Sequence, residues 1–245
     1  MKRYLDDQYI NNFKEDFKFL FKIIKNSCGE YDLRLRDNYF NLYYQGNSLA
    51  KIIFSPNEYQ ISIHRKFVTD NDKEQSFYSS DKRFNPPQSQ GEYLVYRVDK
   101  ELLHPFFQEK YLNKIASRIT RINNGEEITF EQMLITDNLN RENLIIIDRQ
   151  VTEPGLKQRI DLLALKQVTN NQYRFIVLEV KLGKNRDIQG KVVGQLDGYL
   201  KHINDNFTSW KDSYEKTYQQ LKLTGIYENP SYNDIEIVKD VAGYV

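Results

Sequence analysis

The sequence predicts an α/β protein in two parts. The C-terminal half is an apolar β-hairpin followed by helices. The smaller N-terminal part is an α+β unit, one helix plus an antiparallel meander. Three observations predict this. Residues 31–68 alternate apolar and polar with period two, and break at Asp37-Asn38, Gly46-Asn47 and Ser55-Pro56-Asn57. Residues 159–166 and 173–181 are two apolar runs around the polar Thr169-Asn170-Asn171, the pattern of a hairpin. The stretches before and after these carry apolar residues at helical spacing.

In chain order, residues 7–28 predict a helix. Phe13, Phe17, Leu20, Phe21 and Ile24 form its stripe, four lysines lie largely off it, and Gly29 stops it. In the strands that follow, Leu33 and Leu35, then Phe40, Leu42 and Tyr44, then Tyr59, Ile61 and Ile63 share the alternation. Residues 69–92 are polar, with Pro86-Pro87 and Gly91, and read as a long loop or linker. The expected domains are therefore 1–92 and 93–245. A short strand, Tyr93 to Val98, comes next. A helix from Pro105 to about Asn123 has proline in its first turn, and a second runs from Thr129, as cap, to Asn138. Residues 144–151 predict a strand ahead of the hairpin. Helices are expected from Asp187 to about Asn204 and from Ser209 to Leu223. Ile235 to Val245 reads as a strand that is either buried or cut at that point.

Composition narrows the function classes. With 28% charged and 40% hydrophobic residues, the chain has an ordinary soluble composition. The single cysteine, Cys28, excludes an internal disulfide, and three scattered histidines leave no Cys/His zinc pattern. No apolar run is long enough to span a membrane, and the N-terminus has no signal-peptide core. A reducing, cytoplasmic setting is the expectation. The net charge of +1 says little, but residues 157–201 hold nine Lys and Arg against four Asp and Glu. Such a surplus fits a solvated basic face and can also attract a polyanion.

Chemistry concentrates between Arg159 and Tyr199. Asp161 interrupts one apolar strand and Glu179 the next, and a carboxylate there is costly unless paired or metal-bound. Strand period two points Glu179 and Lys181 to one side and Val180 to the other. Pairing about Asn170 sets Asp161 opposite Glu179. Two facing carboxylates repel, and a divalent cation relieves that. Oxygen ligands of this kind suit Mg²⁺, with substrate phosphates completing the shell. Lys181 is then placed to orient or deprotonate a water, or to stabilise developing charge. The same residues also suit a structural salt bridge.

The following helix carries Gly190, Gly194 and Gly198 every four residues. Each glycine costs a helix about 1 kcal/mol relative to alanine. The stripe implies close approach, by a packed sheet as the favoured reading or by a phosphate backbone. Other chemistries fail. Gly183 to Lys191 has six residues between its glycines where a phosphate loop has four, and Val192 stands where Ser or Thr belongs. Neither G-x-S-x-G nor H-E-x-x-H occurs. The tyrosines of the N-terminal strands suit base stacking but suit core packing better.

Asp161, Glu179-Val180-Lys181 and a helix with Gln195-x-x-x-Tyr199 together resemble the PD-(D/E)XK nuclease superfamily. RIDLLAL, FIVLEVKLG and VVGQLDGYL look most like the nuclease domains of NucS-type endonucleases and related restriction and defence nucleases. The resemblance covers roughly residues 126–245; Ile160 stands where the family often has proline. It implies a restriction-endonuclease-like mixed central sheet flanked by helices. It also implies a metal-dependent endonuclease acting on nucleic acid, DNA first, in defence or repair. By the resemblance, Asp161, Glu179 and the Val180 carbonyl bind Mg²⁺, with Mn²⁺ as a substitute. Glu131 joins from the preceding helix, ahead of the weaker candidates Glu126 and Glu127. Lys181 is the catalytic lysine. Gln195 and Tyr199 orient it or contact the nucleic-acid backbone, and Lys184, Arg186 and Lys191 suit phosphates. The alternative is an inactive nuclease fold kept as a module that binds nucleic acid or protein. A homodimer and the role of residues 1–92 stay open.

Overall fold

The computed structural model describes residues 1–56, 58–69, 75–122, 125–183, 190–227 and 232–245. The chain forms two compact units, Leu5–Asn124 and Gly125–Val245, the latter joined by Met1–Tyr4. Among the described residues, no helix is long and apolar enough to cross a membrane.

The N-terminal unit begins with α1 (Asp7–Asp16) and α2 (Lys18–Asn26), where one helix is expected. The break falls at Phe17 (φ −110°, ψ 11°). Its buried ring packs edge-on against Phe40 at 4.9 Å and Tyr59 at 5.0 Å. Strands β1 (Tyr31–Arg36), β2 (Tyr39–Tyr44), β3 (Asn47–Phe54) and β4 (Glu58–His64) form the expected meander. A single helical turn, α3 (Arg65–Val68), follows. Then come β5 (Gln88–Gln90), β6 (Tyr93–Asp99), a short α4 (Leu103–Phe106) and α5 (Glu109–Ile122). The six strands make one antiparallel sheet in the order β1-β2-β3-β4-β6-β5.

Two expectations change here. The boundary at residue 92 moves to residue 124, because β6 pairs with β4 along its whole length, Tyr59 opposite Val98 and Ile63 opposite Leu94. Residues 69–92 are therefore part of this unit, and they include a 3₁₀ turn (Phe77–Ser80) and the edge strand β5. The helix expected from Pro105 is two pieces: Pro105 lies inside α4, and the longer α5 starts after a break at Phe107 (φ −96°, ψ 25°).

The C-terminal unit runs α6 (Glu126–Asp137), β7 (Leu144–Val151), β8 (Ile160–Thr169), β9 (Gln172–Leu178), α7 (Lys191–Asp205), α8 (Phe207–Lys222) and β10 (Glu236–Tyr244). Helix α6 starts three residues earlier than expected, and Thr129 does not cap it; its hydroxyl donates back to the Gly125 carbonyl at 3.0 Å. The sheet order is β10-β9-β8-β7. Strands β7, β8 and β9 are antiparallel, and β10 lies parallel to β9. A parallel neighbour needs a long crossover, here supplied by α7 and α8.

The sheet is covered on both faces. Ile146, Leu162, Ala164 and Ile176 pack with Ile135 of α6. On the other face Phe175 meets Trp210 and Tyr214 of α8 at 6.1 and 5.7 Å, in edge-to-face contacts. Strand β7 carries a bulge: Ile146 pairs with Ala164, and Asp148, not Ile147, pairs with Leu163. One extra residue reverses the facing of everything after it. Asp148 thereby turns toward α8, accepting from the Tyr214 hydroxyl at 2.9 Å, and Arg149 turns toward α6.

Candidate carboxylate–lysine site

The site is built at the end of the β8–β9 pair. Leu162 lies opposite Leu178 and Leu163 opposite Val177. One residue further along, that register sets Asp161 opposite Glu179, as the symmetry about Asn170 predicts. The strands are tied there by the Val180 N–H, which donates to Asp161 Oδ2 at 2.9 Å. Lys181 turns back between the two acids. Its Nζ donates to Glu179 Oε1 at 2.7 Å and to the Val180 carbonyl at 3.2 Å, and lies 3.7 Å from Asp161 Oδ2. The Glu179 side chain is only 2% exposed, against 13% for Lys181 and 14% for Asp161.

Burial pushes the Glu179 carboxyl above its ordinary value, and the charge of Asp161 adds to this; the Lys181 hydrogen bond opposes both without cancelling them. Burial also pulls Lys181 down, but the Glu179 hydrogen bond and the charges of Asp161 and Glu179 outweigh it and hold the ammonium above its ordinary value. Lys181 in this arrangement keeps its proton.

The donor set suits a hard divalent cation. Glu179 Oε2 is buried and has no hydrogen-bond partner among the described residues, while Oε1 takes Lys181. A buried carboxylate oxygen without a donor is costly, and a cation relieves that cost. Asp161, Glu179 and the Val180 carbonyl offer oxygen only. Two carboxylates with water and phosphate completing the shell is the usual protein contribution to Mg²⁺.

The third carboxylate expected in that set is absent from it. Among the described residues no three His, Cys, Asp or Glu side chains gather as a metal-holding group. Glu131 is buried on α6, and Arg149 Nη2 donates to its Oε2 at 3.0 Å. Burial raises the Glu131 carboxyl above its ordinary value, the Arg149 charge opposes this, and Asp161 adds to it. Arg149 is the residue that sequence reasoning passed over. Its signal was present: Asp148-Arg149 interrupts the apolar run of residues 144–151, so two charges there needed partners.

Helix α7 departs from expectation in several ways. Gln195 pairs with Gln158 and not with Lys181. Tyr199 is buried, and its hydroxyl donates to the Arg159 carbonyl at 3.0 Å. Burial and the nearby charges of Glu179 and Asp161 raise its phenol well above the ordinary value. It braces the start of β8 beside Asp161 and does not lie open to a polymer. The glycine stripe is not packed either: a Cβ on Gly190, Gly194 or Gly198 would meet nothing within 4 Å. Gly194 and Gly198 line a cleft of about 470 Å³ with Lys157, Gln158, Lys191 and Gln195. Lys157 and Gln158 had no sequence signal beyond the local basic surplus. Lys184 and Arg186, and the start of the helix expected at Asp187, lie outside the described residues.

Comparison with protein-family models, with curated proteins and with solved structures finds no match for this chain.

The raised Glu179 carboxyl carries a stability prediction. The folded state holds this proton more tightly than the unfolded state, so ionising Glu179 removes stability as pH rises above 4.5, its ordinary value. In chelator, Glu179→Gln is expected to unfold at higher urea than wild type at pH 7, with the gap closing below pH 4.5. Denaturation curves at both pH values check this; a gap independent of pH contradicts the assignment.

Proposed function

We propose that the C-terminal unit is a Mg²⁺-dependent nuclease domain on a restriction-endonuclease-like frame, hydrolysing phosphodiester bonds with DNA as the first substrate to try. The observation that carries the reading is the ammonium of Lys181 held between Asp161 and Glu179, acids set on opposed positions of two paired strands. Asp161, Glu179 and the Val180 carbonyl would hold the cation. Bound there, Mg²⁺ supplies charge for a phosphoryl oxygen and acidifies its own water. Lys181 keeps its proton at Nζ and so donates toward charge developing on the phosphate, rather than acting as the base. Lys191, exposed at the start of α7, and Lys157 across the cleft are spaced for backbone phosphates. The N-terminal unit is then an accessory that recognises nucleic acid, a partner or a signal.

The test is cleavage of single- and double-stranded DNA and RNA with Mg²⁺ or Mn²⁺ against EDTA. Wild type is expected to cut at least one substrate only with metal, and Asp161→Asn to cut none. If wild type cuts nothing with either metal, the enzymatic reading ends. A second reading, a nuclease-like module that only binds, is favoured by one observation: Lys181 and Arg149 already serve as counter-ions to the acidic groups. Metal-independent binding without cleavage, unchanged in Asp161→Asn, is its expected signature.

A further inference from the structure

A second cleft opens beside the same strand end, toward α6. It measures about 460 Å³. Its walls are Phe130 and Leu134 of α6, Leu178 and Val180 of the site strand, and Tyr244 of β10; Glu179 and Lys181 also line it. Phe130 is 49% exposed and Tyr244 47% exposed, with the exposed Met133 also on α6. Large apolar side chains left open together mark a binding surface more often than a solvated face.

We propose that this cleft receives an unpaired nucleobase of the strand being cut. The proposal rests on the nuclease reading. Three features select this occupant. The volume falls in the range of small-ligand sites, roughly 300–1,000 Å³, which admits a planar heterocycle. The two exposed rings offer π faces, and bases of any sequence stack on such rings. The cleft also shares Glu179, Val180 and Lys181 with the carboxylate–lysine site, so a base seated in it belongs to a nucleotide next to the phosphate at that site. A base stacked inside a duplex cannot enter. The substrate class is therefore single-stranded or locally unpaired nucleic acid.

The test compares Mg²⁺-supported cleavage of one oligonucleotide as a single strand and as a duplex, by wild type, Phe130→Ala, Phe130→Trp and Tyr244→Ala. Thermal unfolding and sedimentation accompany each variant. Wild type is expected to favour the single strand. Phe130→Ala is expected to raise KM on it about tenfold, a loss within the range for one base–ring stack, with kcat held. Phe130→Trp restores the stack and the KM. Unchanged KM in both alanine variants, with Lys181→Ala inactive, overturns the base cleft and leaves the nuclease reading standing. A wild-type dimer that Phe130→Ala converts to monomer assigns the patch to a second copy of the chain and also overturns it. If wild type cuts nothing, both proposals fall together.

Discussion

Lys181→Ala is expected to lower cleavage kcat by about 10²–10³-fold, the usual loss when one preorganised donor to a developing oxyanion is removed. Nucleic-acid binding should persist, since Lys157 and Lys191 lie in a separate cleft. The substitution also changes the resting site. Lys181 Nζ donates to both Glu179 Oε1 and the Val180 carbonyl. Without it Glu179 keeps two buried oxygens with no donor from Lys181, and Asp161 faces it across the strand pair. The variant should therefore be less stable than wild type in chelator and should regain more of its melting temperature on adding Mg²⁺. That second readout separates a lost catalytic group from simple damage: a merely structural lysine gives no larger Mg²⁺ response. Equal cleavage by variant and wild type removes Lys181 from the mechanism.

The largest stability effect is expected at Arg149. Arg149→Met should destabilise the protein by about 3–5 kcal/mol, the cost of leaving one member of a buried ion pair alone. The Arg149 side chain is 0% exposed and that of Glu131 4%. Arg149 also donates to Gln132 Oε1 at 2.9 Å, so α6 loses two anchors to β7 at once. Replacing both charges, Glu131→Leu with Arg149→Met, should recover most of the loss, because apolar pairs of similar volume often match buried ion pairs. Urea midpoints at unchanged m-value measure both. A double variant as unstable as Arg149→Met alone would show that the charge left behind is not the cause.

The site's centre was legible because it depends on local pairing. Asp161 and Glu179 are equally far from Asn170, and the hairpin register follows from that count; only its last pair, Thr169 with Gln172, is shifted by a bulge. Strand period two likewise placed Lys181 with Glu179. Glu131 was misread for the opposite reason. Its partner is set by the extra residue Ile147 in β7, and a bulge leaves no mark in an apolar run of similar side chains. The domain boundary failed in the same way: a polar stretch with two prolines reads as a linker, but β6 answers to β4 across about thirty residues of chain. Nothing within Tyr93–Asp99 states which edge it will join. The glycine stripe was read correctly as an exceptional face. Whether that face meets protein or open space depends on α7's neighbours, which the helix does not encode.

The parallel pairing of β10 with β9 bears on the order of assembly. The β8–β9 hairpin closes over a handful of residues, so Asp161 and Glu179 can face each other early. The Glu179 amide, however, donates to the Tyr244 carbonyl at 2.9 Å, across more than sixty residues of sequence. Contacts of such separation are entropically expensive to close and form late. During synthesis the acids therefore meet before the strand that fixes Glu179's backbone has emerged, and the site acquires its final geometry only when β10 docks.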